Sequence, residues 1–163
     1  MTVTPRMPHR RGARVTTLTA LLFAALAAPA AHALDAAQWQ AVAPSVQAAL
    51  ECQAKPDTAA KAWKTLPRDA SGGIKTITPP APFAVFGLPV RDVSIFIDPD
   101  GELGESYTAE IGAGSAAVRK AAKLNAEGGR TTTMGELMLS DDGAAKLTCT
   151  VAGSYDESDY QEN

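Results

Sequence analysis

Apolar and polar positions alternate most regularly between Phe83 and Ile111. Val93, Ile95 and Ile97 alternate with Asp92, Ser94 and Phe96, and further on Tyr107, Ala109 and Ile111 alternate with Ser106, Thr108 and Glu110. A period of two, with apolar residues on one side, predicts two strands lying over a core. Between them runs Asp98-Pro99-Asp100-Gly101-Glu102-Leu103-Gly104, whose residues start turns and tolerate positive φ, so the chain is expected to reverse there.

From Leu34 to Ala54 the period changes. Trp39, Val42, Val46, Leu50 and Ala54 recur every three or four residues and predict an amphipathic helix with Asp35 as its N-cap. Pro44 interrupts this run, which predicts a kink or a restart with Pro44 in a first helical turn. A second, short helix is expected from an Asp57 or Thr58 cap to about Leu66, including Trp63; both tryptophans read as core residues under the sheet. Pro67 to Pro82, with Gly72-Gly73 and three further prolines, reads as a connector around a short edge-strand candidate, Ile74 to Thr78. Ser115 is the expected N-cap of a third helix whose apolar face is Val118, Ala121, Ala122 and Leu124. Two more strands, Thr131 to Ser140 and Ala144 to Val151, are expected around the turn Asp141-Asp142-Gly143, with Ala145, Leu147, Cys149 and Val151 facing inward.

The start of the chain reads differently. Arg6, Arg10, Arg11 and Arg14 form a basic leader without acids, Val15 to Ala28 is a short apolar run, and Ala31-His32-Ala33 matches an A-x-A cleavage site. Residues 1–33 are therefore expected to be a secretory signal peptide cut near Ala33, delivering the protein to the periplasm or outside the cell without stable membrane insertion. The Arg10-Arg11 pair lacks the bulky apolar residues that a twin-arginine signal places after it. Four of the 15 basic residues and none of the 18 acidic ones lie in this leader, so 11 bases remain against 18 acids, a net charge of −7. That balance disfavours nucleic acid and anionic lipid as partners.

Both histidines, His9 and His32, also lie in the leader. The remaining 130 residues then hold no Ser-His or Cys-His dyad and no imidazole ligand. Their two cysteines, Cys52 and Cys149, are far apart and even in number, which in an exported chain reads as a structural disulfide rather than a redox pair. The first helix must then lie against the inner face of the last strand.

Candidate chemistry is sparse. The carboxylates of Asp98, Asp100, Glu102 and Glu105 are spaced as a hard cation would want them, but an EF-hand loop needs glycine sixth and glutamate twelfth, where this chain has Leu103 and Ala109. A contact surface for a partner with a basic cleft is the expectation for these four residues. Met134 and Met138, on one strand face about 13 Å apart, are too distant to share a soft metal. Ser115 with Arg119 and Lys120 is the single local arrangement resembling a Ser-Lys hydrolase, and capping explains Ser115 better.

The expectation for the whole is an α+β protein. Residues 34–153 form one disulfide-locked domain, with N-terminal helices on a mostly antiparallel sheet of four or five strands and one further helix between two hairpins, followed by an acidic tail over 154–163. Without a catalytic constellation, cofactor motif or metal cluster, the expected function is non-enzymatic protein binding of the hydrolase-inhibitor or immunity kind. A small-ligand or weak calcium-binding module is the alternative.

Overall fold

A capping box sets the start of the first helix. In the computed structural model, which describes residues 34–155, Asp35 accepts from the Gln38 amide while the Gln38 side chain accepts from the Asp35 amide, and α1 runs from there over Ala36–Leu50. The expected signal peptide, its cleavage point and residues 156–163 lie outside the described residues. α1 runs unbroken through Pro44, so the expected restart with Pro44 in a first helical turn does not occur. Pro44 and Gln40, whose carbonyl loses its donor, are both exposed, so water can replace the missing bond and the buried stripe of Trp39, Val42, Val46, Ala49 and Leu50 is untouched.

The helix also stops a turn earlier than the apolar stripe predicts, because Cys52 takes the left-handed conformation at φ +57°. The Cys52 amide donates to the Ala49 carbonyl and the Gln53 amide to the Ala48 carbonyl, a Schellman motif with cysteine where glycine is usual. This cap turns Cys52 off the helix and into the disulfide with Cys149, their Cα atoms 5.3 Å apart. Ala54 is exposed and takes no part in the core. The second helix, α2, is a single turn, Lys61–Lys64; Asp57 caps the Ala59 amide of the preceding turn, not the helix itself. Trp63 is buried and donates from its indole nitrogen to Ser45 Oγ at 2.9 Å, which fastens α2 to α1.

The sheet has six strands, one more than the upper expectation. They are β1 (Ala84–Val85), β2 (Leu88–Ile97), β3 (Glu105–Ile111), β4 (Gly129–Thr131), β5 (Glu136–Asp141) and β6 (Ala145–Val151), all paired antiparallel in the order β1-β2-β3-β6-β5-β4. The sheet is curled into a half-barrel. Two expected strands each divide. Phe86-Gly87 is a two-residue turn with both φ positive, +51° and +73°, which separates β1 from β2. Thr132 to Gly135 forms a tight turn, with the Thr132 amide on the Gly135 carbonyl, so Met134 and Met138 do not share one strand.

Both hairpins orient as the alternation predicts. Val93, Ile95, Tyr107, Ala109, Ile111, Leu137, Ala145, Leu147, Cys149 and Val151 join the tryptophans and α1 in one buried cluster. The third helix, α3 (Ser115–Ala121), adds Val118 to that cluster against β5 and β6, but its N-cap is Gly114, and Ser115 is its first helical residue. The mixed α+β architecture and the disulfide expected from sequence are present. Among the described residues no helix is long and apolar enough to cross a membrane.

Candidate functional site

The four carboxylates singled out in the sequence do not act as one group. Asp98 closes its own turn: its Oδ2 accepts from the Leu103 amide at 2.8 Å, and its amide donates to the Gly104 carbonyl. Glu105 faces the other way, in an ion pair with Lys55 at 3.0 Å and accepting the Tyr107 hydroxyl. Burial, and then the Glu105 carboxylate, push the Tyr107 phenol far above its usual range. Asp100 and Glu102 are exposed at the tip, with no side-chain partner among the described residues. No three His, Cys, Asp or Glu side chains among the described residues are placed to hold a metal ion.

The tip itself is held firmly. The Ser154 amide donates to the Gly101 carbonyl and the Tyr155 amide to the Glu102 carbonyl, so the first residues after β6 clasp the turn. Gly104, at φ +82°, and Gly153 make the clasp possible, because a Cβ on either would overlap the opposing backbone, at the Val151 and Glu102 carbonyls respectively. The stretch expected to begin a solvated tail thus starts against the acidic turn.

A cleft of about 690 Å³ opens beside this tip and shares Pro99 with it. Trp63 and Ile74 line it together with the loop residues Arg68, Asp69, Ser71, Gly72 and Gly73 on one side and Ile95, Phe96 and Ile97 of β2 on the other. The wall loop is rigidly built: Asp69 Oδ1 accepts from the Ser71 amide and hydroxyl and from the Gly73 amide, while Arg68 donates to the Gly72 carbonyl at 2.7 Å. The Ser71 hydroxyl is the main reason the Asp69 carboxyl titrates below its usual range; the two amides and Lys75 add to it against partial desolvation.

Successive β2 residues of both faces can line one cleft only at the edge of the sheet. The Val93 amide and carbonyl exchange hydrogen bonds with Ile77, both 2.8 Å, so the odd-numbered residues of this part of β2 turn their backbone groups away from β3. The Ile74 to Thr78 segment, expected as an edge strand, meets β2 at that single bridge. Thr78 reaches the Asp92 carboxylate at 2.5 Å and Thr76 lies 3.4 Å from Ser94, but the Lys75 amide turns to the Pro67 carbonyl and the chain peels off. Beyond this point the peptide groups of Ile95 and Ile97 have no hydrogen-bond partner among the described residues. Phe96, between them on the outer face, is 50 % exposed.

The opposite end of β2 is closed. Glu51, at the end of α1 and only 9 % exposed, accepts from the Gln47 and Gln53 side-chain amides and from the Phe86 amide at 2.8 Å. Arg130 of β4 stacks over the Phe86 ring, 5.4 Å from its centroid, so the two edges of the curled sheet meet there. Sequence reasoning singled out neither Glu51, Phe86, Arg130 nor the Ile95–Ile97 edge. Gly87 after an apolar run was the available signal for the Phe86 turn; the open Ile95–Ile97 edge depends on where the proline-rich connector leaves β2, which no local pattern reports. No protein-family model, curated protein or solved structure matches this chain.

Proposed function

We propose that the protein is a non-enzymatic, exported module that binds another protein through the end of the β2–β3 hairpin, in the manner of an inhibitor or immunity protein. The observation that carries this reading is the unpaired Ile95–Ile97 edge, lying in a cleft and adjoining a rigid acidic tip. Unpaired strand edges are templates for association, and proteins that do not use them cover or shorten them. A clasped tip loses little conformational freedom on binding, which favours affinity. The exposed Asp100 and Glu102 add a negative potential that steers a partner with a basic surface.

A non-enzymatic role is supported by the residues themselves. Ser115 makes no side-chain hydrogen bond among the described residues, and Arg119, one turn on, is engaged by the Asn125 and Ala126 carbonyls at 3.0 and 2.8 Å. Cleft volume favours a second reading, since about 690 Å³ is also the size of a small-ligand site. Capture from a periplasmic extract separates the two. Immobilised protein is expected to retain a specific partner at low salt, and the double variant Asp100→Asn/Glu102→Gln to retain several-fold less with an unchanged melting temperature. Equal retention by both forms removes the role of the acidic tip, and retention of nothing removes the protein-binding reading.

A further inference from the structure

The Ile95–Ile97 edge has the geometry of an unfinished ladder. One hydrogen-bonded pair, Val93 with Ile77, is already in place and antiparallel, and the next two such positions on β2 are Ile95 and Ile97. Each offers one amide and one carbonyl in the plane of the sheet, and the chain that would have covered them turns away at Lys75. The wall loop that stands off from this edge is fixed by its own hydrogen bonds through Asp69 and Arg68, so it does not close the gap.

We propose that this edge receives an extended segment of another protein as one more antiparallel strand, with an apolar or aromatic side chain opposite Phe96. The proposal rests on the protein-binding reading and names how the partner is held. Residues of the incoming strand opposite Ile95 and Ile97 exchange two main-chain hydrogen bonds each with β2. Their side chains fall on the inner side with those of Ile95 and Ile97, in the cleft that Trp63 and Ile74 also line, and should be apolar and of modest size. The residue between them forms the close, non-hydrogen-bonded pair with Phe96 on the outer face, where an aromatic or β-branched neighbour is favoured. An alternating apolar pattern about three residues long is therefore the recognised chemistry. Of the four large apolar side chains exposed among the described residues, Leu103 and Tyr155 belong to the adjacent tip and its clasp, and with Phe96 they extend the apolar character of this end.

The test uses the protein from Leu34 to Asn163, labelled with nitrogen-15, and the blocked peptide acetyl-Thr-Val-Tyr-Val-amide as probe, which ends before the position opposite Ser94 that Thr76 holds. At millimolar peptide the Ile95 and Ile97 amides are expected to exchange with solvent at least about tenfold more slowly, while Ser94 and Phe96, already in the β2–β3 ladder, do not change. Methylating both valine nitrogens of the peptide should abolish the effect, and methylating the tyrosine nitrogen should leave it. Phe96→Ala should weaken binding by up to about fivefold.

Absence of protection at millimolar peptide overturns the proposal, as does equal binding of the valine-methylated probe, which would mean apolar adsorption alone. If both amides are protected in the free protein and deleting residues 156–163 releases them, the chain's own end occupies the edge. If their protection instead rises with protein concentration alongside dimers in sedimentation, a second copy does; either result replaces the external partner. A partner captured from extract without peptide protection overturns strand addition and leaves protein binding standing, whereas peptide protection without any captured partner overturns the protein-binding reading and the external partner with it.

Discussion

The two ends of β2 treat the same problem in opposite ways. At Leu88 the edge is shut by β1, by the Glu51 carboxylate on the Phe86 amide and by Arg130 over the Phe86 ring. At Ile95 to Ile97 the covering segment leaves after one bridge. Closure at the first end is maintained against strain: a bulky residue at φ +51° costs on the order of 1–3 kcal/mol and persists only where its surroundings hold it. The open end carries no such strain in β2, and its flanks, the Asp69 loop and the clasped tip, are braced by their own hydrogen bonds. A fold that spends strain to seal one edge while bracing the gap at the other is not simply ill-fitted at the second. The asymmetry is the strongest structural argument for function in this molecule.

Removing the disulfide tests the closed end most severely. Cys52 follows Glu51 directly, and its bridge spans 97 residues, so the Cys52→Ala/Cys149→Ala variant should lose about 4–5 kcal/mol on the chain-entropy account of cross-links. Guanidinium unfolding of the oxidised protein and the variant measures it. A loss below about 1 kcal/mol would show that the Schellman cap and the core hold α1 on β6 unaided.

The acidic tip should respond next. Gly104→Ala places a methyl against the Val151 carbonyl at a positive φ, and about 2–4 kcal/mol of destabilisation is expected from strain and overlap together. The Ser154 and Tyr155 amides should lose their exchange protection in this variant; if they keep it, the clasp does not depend on that close approach.

Glu51→Ala acts on the closed end alone. It leaves the Phe86 amide and two glutamine side chains without their acceptor, a loss of about 1–3 kcal/mol. Exchange at Leu88 should quicken while peptide binding at Ile95 and Ile97 persists. Equal disturbance at both ends would mean that β2 responds as a single unit and would erase the contrast.

Much of the core was legible in the sequence. Period-two alternation placed the inner faces of β2, β3 and β6, and the even, distant cysteines fixed which helix meets which strand, because burial and cross-linking leave local marks. The boundaries were less legible. Pro44 signals a restart that does not occur, because the carbonyl it leaves unbonded, that of Gln40, lies on the exposed side of α1. Phe86-Gly87 was passed over because the first turn position normally shows Asn or Asp, and the ring's place under Arg130 is set by β4, more than forty residues on. The site was least legible. The carboxylates Asp98, Asp100, Glu102 and Glu105 are adjacent in sequence, but two of them serve the fold, and the open edge beside them exists through a divergence at Lys75 that has no signature of its own.

The smallest expected effect lies beneath the open end, where Tyr107 pairs across from Ile95 and Glu105 from Ile97. Burial and the Glu105 carboxylate raise the Tyr107 phenol, so the folded protein keeps its proton after the unfolded chain has released it at about pH 10. Above that pH the folded state binds the more protons, and stability must fall as pH rises, by up to about 1.4 kcal/mol per pH unit. Below about pH 9 both states hold the proton and this group contributes no pH dependence. Lysines titrate over the same range, so the informative quantity is the difference between the wild type and Tyr107→Phe, which should grow to about 1 kcal/mol half a unit above pH 10. Parallel stability profiles for the two proteins would mean that the phenol is reached by solvent, and that the floor beneath the open edge is looser than the closed end it is compared with.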